Sequence, residues 1–198
     1  MIEQVLIENY KSIKDLSLPL NRLNVLIGSN GAGKSNFISF FELTKAIYEQ
    51  RFGSYTLSKG GIDNLLRQGR KVSPSIQGLI DFDNTNAFFF EIKPSQSNKG
   101  YIEKTGDFFN NCHKPGKDYS QWNRTIWDSA VEESSLKDNK RWRAAYLRKY
   151  LGSFTVYHLS TIFRKNSQQR QLPSFHPTIT PKISIPLLKG LPPKDCWL

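Results

Sequence analysis

Residues 28–35 read Gly28-Ser29-Asn30-Gly31-Ala32-Gly33-Lys34-Ser35, which fits the pattern G-x-x-x-x-G-K-[ST] at every fixed position. Each position answers a demand of phosphate chemistry. Glycine at 28, 31 and 33 lets the backbone turn sharply and come close to an anion. The amides of the loop, and of the next helix's first turn through Asn36, can then point at a phosphate group. The positive end of the helix dipole adds to that attraction. Lys34 supplies a point charge for the β- and γ-phosphates, and the Ser35 hydroxyl is the expected ligand for Mg²⁺.

The pattern predicts a buried strand before the loop and a helix after it. Leu23-Asn24-Val25-Leu26-Ile27 precedes it and is mostly apolar, as a strand covered on both faces should be. Phe37, Phe40, Phe41, Thr44, Ile47 and Tyr48 follow at helical spacing, and Gly53 is the expected stop.

Composition bounds the rest. The chain has 198 residues, enough for a real core in one domain or a little more. No apolar run is long enough for a transmembrane helix, and Met1-Ile2-Glu3-Gln4 does not open a signal peptide. Cys112 and Cys196 make no disulfide framework, and Cys112-His113 has no second pair for zinc. A reducing cytoplasm, with no membrane partner, is the expected setting. The net charge of +11 is compatible with nucleic acid or another polyanion.

Along the chain, 1–10 and 15–20 read as strands, the second at an edge because of Pro19. Residues 62–66 suggest a short helix. Strands are expected at 76–83, 87–93 and 101–109, the first two forming an antiparallel hairpin around the turn 83–86. Trp122, Ile126, Trp127, Ala130 and Val131 sit at helical spacing, which predicts a helix there. A second helix is expected over roughly 139–152, with Trp142, Tyr146, Leu147, Tyr150 and Leu151 on its apolar side, and a last strand at 154–159. Six of the ten prolines fall in 173–193, so 161–198 reads as an irregular basic tail after a lobe spanning 1–160.

The stretch Asn9-Tyr10-Lys11-Ser12-Ile13, the run Leu23–Gly28, the loop, and Asn36-Phe37-Ile38 together resemble the N-terminus of ABC-type ATPase heads. The nearest branch is the RecF/SMC/OLD-like group, including bacterial AAA-family ATPases. Gly60-Gly61-Ile62-Asp63-Asn64-Leu65-Leu66 followed by a hairpin is similar to that group too. The resemblance implies an α/β fold: a P-loop NTPase lobe with a mixed sheet, an antiparallel hairpin arm and a short helical segment. It implies ATP and Mg²⁺ as cofactors, held by Gly28, Ser29, Asn30, Gly31, Ala32, Gly33, Lys34, Ser35 and Asn36, with Ser35 on the metal. It also implies a second head or partner protein that closes over the γ-phosphate. Lys11 sits where the group often has a basic residue near the phosphates.

Two stretches imitate the family's remaining motifs. Leu57-Ser58-Lys59-Gly60-Gly61 resembles a signature loop, and Ile80-Asp81-Phe82-Asp83 an acid-terminated strand. Both are expected to be bland, because the first follows the phosphate loop too closely and Gln77 interrupts the second. Glu132-Glu133 is expected on a solvated helix, and His158 as a satisfied histidine. No water-orienting acid is identified, so the expectation is ATP binding by an early-ended head, with hydrolysis slow or absent in this chain alone. Two other readings stay open. One is a complete small P-loop kinase using Arg141, Arg143 and Arg148 as a lid. The other is a basic module binding nucleic acid through 139–170.

Overall fold

The computed structural model describes residues 1–110 and 117–157. Its frame is one six-stranded sheet in the order β2-β1-β3-β4-β5-β6, every neighbouring pair antiparallel. The strands are β1 (Ile2–Tyr10), β2 (Ile13–Pro19), β3 (Ile76–Phe82), β4 (Asn86–Pro94), β5 (Gly100–Phe109) and β6 (Asn123–Val131). Three helices accompany it: α1 (Lys34–Tyr48), α2 (Phe52–Ser58) and α3 (Trp142–Gly152). The α/β class expected from the sequence is thus the observed one. Pro19 lies at the end of the edge strand β2, where a missing N–H costs no ladder bond.

Successive strand residues face opposite sides of a sheet. Ile76, Gly78, Ile80 and Phe82 of β3, with Phe88, Phe90 and Ile92 of β4, face α1 and α3 in the main core. Leu79, Ala87, Phe89 and Trp122 form a smaller cluster on the other side. Helix α1 is buried nearly all round, as its apolar composition requires. Phe40 is its anchor, with ring centroids 5.9 Å from Tyr10, 6.0 Å from Phe41 and 5.6 Å from Phe90. Gly78 is where Phe90 and Phe40 meet the sheet: a Cβ there would stand 2.4 Å from the Phe90 ring.

Four expectations are corrected. Residues 123–131 are not a helix but the strand β6, paired along β5 from Ile102↔Val131 to Phe109↔Asn123, and Trp122 closes the turn before it. The register shifts opposite Thr105 and Gly106, leaving Trp127 as an extra residue. That bulge breaks the two-residue alternation and lets the apolar residues imitate a helical period. Gly53 is no stop either: α1 ends at Tyr48, Gln50 turns the chain with φ 58°, and Gly53 lies in the first turn of α2. Glu132-Glu133 is not on a helix. The Glu133 carboxylate accepts the Phe52 and Gly53 backbone N–H groups at 2.9 and 2.8 Å, capping α2 from a distant part of the chain. Phe154 is not in a strand; its ring packs 5.8 Å from Phe41. His158, Cys112, Cys196 and the expected tail lie outside the described residues.

Asp81 is fully buried on the sheet face away from α1, where the Tyr119 hydroxyl donates to it at 3.1 Å. Burial pushes its pKa up to about 6, against the weaker pull of Tyr119 and Lys117. The folded-state pKa exceeds the unfolded one, so the native state holds the extra proton between about pH 4 and pH 6. Stability contributed by this site therefore falls as pH rises through that window, by roughly 3 kcal/mol in all. Asp81→Asn is expected to flatten that part of the stability–pH curve. Urea unfolding of both proteins at about pH 4, 5, 6 and 7 checks this; parallel curves would refute it.

Candidate functional site

The loop 28–35 joins the segment after β2 to α1. Gly31 and Gly33 take φ 88° and 91°, a left-handed backbone that side chains resist. Gly33 also lies against the hairpin tip between β1 and β2, where a Cβ would stand 3.3 Å from Ser12 Oγ. Asn36 Nδ2 donates to the same Ser12 oxygen at 2.7 Å. The tip thus braces the loop, a role that no pattern in the sequence assigns to Ser12. The only signal for it is its place in the Lys11-Ser12 pair of the family-like opening.

Gly33 is the N-cap of α1, and no side chain caps this helix or places an acid in its first turn. The first N–H groups of α1 are thus left for an outside acceptor, at the positive end of a fifteen-residue helix buried in the core. Lys34 Nζ donates to the carbonyls of Gly28 and Ser29 at 2.6 and 2.8 Å, folding its charge over the loop. Gly28, Ser29, Asn30, Gly31, Ala32 and Ser35 are exposed. A glycine-rich turn, an uncapped helix start and one cation over the turn suit a phosphate chain. Those residues would hold it, and Ser35 stands in the first helical turn where a metal on that chain would need a hydroxyl.

Lys11, at the hairpin tip, adopts φ 51° and donates from Nζ to Ser39 Oγ at 2.8 Å. Ser39 is one turn below Ser35 on the same stripe of α1. The Tyr10 and Tyr55 hydroxyls donate to the Ser39 carbonyl at 3.1 and 3.3 Å. Burial lowers the Lys11 pKa, and the nearby Lys59 charge lowers it further. This polar knot under the loop is not legible in the sequence, since none of its members belongs to the glycine pattern.

The flank before the loop differs most from expectation. Residues 23–27 form no strand: Leu23 is 68%, Val25 60% and Ile27 87% exposed, while Leu26 packs on the core. One face of the segment is seated on the core and the other is bare. A strand exists by pairing, and the neighbours that would pair with 23–27 are not among the described residues.

The two imitations of downstream motifs lie elsewhere. Leu57–Gly61 closes α2, where Lys59 meets Glu42 at 3.6 Å. Asp81 faces the far side of the sheet. Asp83 sits in the β3–β4 turn, accepting from the Met1 amine and from the Tyr146 and Tyr150 hydroxyls at 2.5, 2.8 and 2.6 Å. Burial works to raise the Asp83 pKa, but those three donors hold it below the usual carboxylate value. Arg143 and Arg148 do not form a lid: Arg143 pairs with Asp107, and Arg148 donates to the Leu136 and Asn139 carbonyls. Among the described residues no group of His, Cys, Asp and Glu could hold a metal ion. No helix among them is long and apolar enough to cross a membrane.

A family model of the AAA ATPase domain matches residues 1–170, reaching past the described part of α3 and its exit. A search of curated proteins finds no match.

Proposed function

The chain belongs to the AAA ATPase domain family, and on that premise we propose that it binds ATP with Mg²⁺ as the phosphate-loop lobe of a RecF/SMC/OLD-like, ABC-type head. The observation that carries the reading is the uncapped start of α1 under a left-handed glycine turn, with Lys34 already over that turn. In this reading the loop amides and Lys34 hold the β- and γ-phosphates, and Ser35 supplies a metal ligand. The setting is cytoplasmic.

Hydrolysis needs more than a cradle. Phosphoryl transfer depends on positioning and charge stabilisation, including a residue that orients the attacking water. The acids of the acid-terminated stretch are not free to do this: Asp81 faces away from the loop and Asp83 is held by Met1, Tyr146 and Tyr150. The bare face of Leu23, Val25 and Ile27 supports the same conclusion from packing. Sheet neighbours for the segment before the loop, and the acid they carry in such heads, come from outside the described residues.

The test is calorimetric titration of the chain with ATP and excess Mg²⁺, followed by a phosphate-release assay on the same sample. Saturable binding with no turnover above background is expected. Absence of binding refutes the reading, and turnover at an ordinary enzymatic rate refutes the need for elements beyond these 198 residues.

A further inference from the structure

We propose that the corner of the sheet at the start of α3 is a docking platform for single-stranded nucleic acid, centred on Trp142. This rests on observations independent of the phosphate loop. Trp142 is 65% exposed, far more than a tryptophan on the apolar side of a helix should be. Yet it is held in place. Its ring meets Phe109 edge to face, with centroids 5.3 Å apart and planes at 89°. The Arg143 guanidinium lies 5.8 Å from the Trp142 ring and 5.5 Å from Phe109.

Arg143 is itself fixed. It stands 2.9 Å from Asp107 Oδ2, in ion-pair contact though out of line for a hydrogen bond, and donates to Thr125 Oγ1 at 2.8 Å. The indole is thus a rigid aromatic surface presented to solvent, with little ordering left to do on binding.

Its surroundings are cationic. Lys140 and Arg141 are exposed just before it, and α3 has no acid in its first turn. Positive charge at a helix start opposes the helix dipole, so an anion there relieves two unfavourable terms at once. Arg124 is not part of this patch: its guanidinium lies over Phe89 and Phe108 on the other face of the sheet, so the cations around Trp142 are Lys140, Arg141 and Arg143. Of the carboxylates near this corner, Asp107 is paired with Arg143, and Asp138, two residues before Lys140, accepts from Gln50.

An exposed aromatic plane ringed by Lys and Arg suits unpaired bases that stack while phosphates run over the cations. A duplex offers no free base face. An anionic membrane would need a second large apolar side chain to insert, and the exposed positions of α3 beyond Trp142 are Ala145, Lys149 and Gly152.

The probe is a fluorescent oligo-dT of about twenty nucleotides, followed by anisotropy without nucleotide at several salt concentrations. Wild type is expected to bind at low salt and to weaken linearly in log salt, at about 0.7 per phosphate contacted. Trp142→Ala is expected to weaken binding about tenfold, the loss of one stacked base. Trp142→Phe should retain most of it, and Arg141→Gln should reduce the salt slope by about one phosphate's share. Lys34→Ala should bind the oligonucleotide as wild type does, which separates this result from the fate of the ATP reading. No binding by wild type at low salt overturns the proposal. So does equal binding by Trp142→Ala, tighter binding of duplex, or binding only to phosphatidylserine vesicles.

Discussion

Lys34→Ala is expected to weaken ATP·Mg²⁺ binding by at least tenfold, and to the limit of detection if wild type binds only in the micromolar range. Charge-assisted hydrogen bonds contribute about 1.5–3 kcal/mol each, or roughly 10- to 150-fold in affinity. The fold should survive the change. In this structure Lys34 Nζ meets only the Gly28 and Ser29 carbonyls, on an exposed loop that water can serve instead. The measurement is a pair of calorimetric titrations, with thermal melts to show that both proteins are folded. Equal affinity of wild type and variant would remove the loop from the binding site.

Phe40→Ala is expected to be the most destabilising single change in this core, at about 3–5 kcal/mol. Phe40 is fully buried and its ring contacts tie α1 to the sheet through Phe90 and to the β1–β2 hairpin through Tyr10. A domain of ordinary stability has about 5–15 kcal/mol in total, so this is a large share. The consequence reaches the site. The loop's amides are aimed by the start of α1, and α1 is aimed by this ring cluster. The variant should therefore lose affinity for ATP even at temperatures where it stays folded. Urea unfolding gives the first quantity and titration at low temperature the second. A loss below about 1 kcal/mol would mean that the cluster does not position α1. Ile126→Ala, exposed on β6, serves as the control with little expected effect.

Several parts of the molecule are legible in the sequence because they are local. The glycine loop announces itself through glycines at positions whose left-handed backbone other residues resist. The helix after it follows from a 3.6-residue period, and β3 and β4 from a two-residue one. Pro19 marks the sheet edge. In each case the pattern is complete within about ten residues, and no distant contact contradicts it.

Other parts depend on who stands opposite. Residues 122–131 have a spacing that fits a helix, but pairing with β5 and the bulge at Trp127 make 123–131 a strand. Glu133 looks like surface charge until the fold brings it to the open N–H groups of Phe52 and Gly53. Trp142 reads as an apolar-face residue, yet Ala144, Leu147, Tyr150 and Leu151 are what α3 buries. The braces of the loop, Ser12 and the Ser39 knot, come from residues 16 to 28 positions apart in the chain.

By itself, then, the sequence determined the glycine-rich turn, the helix after it and the alternation of the central strands, because these are written in short-range periods and backbone permissions. The tertiary structure alone decided that the segment before the loop has no strand partners among the described residues. It also decided that Asp81 faces away from the loop and that a tryptophan is held out to solvent among cations. Pairing, facing and exposure are relations between distant residues, and no local pattern can state them.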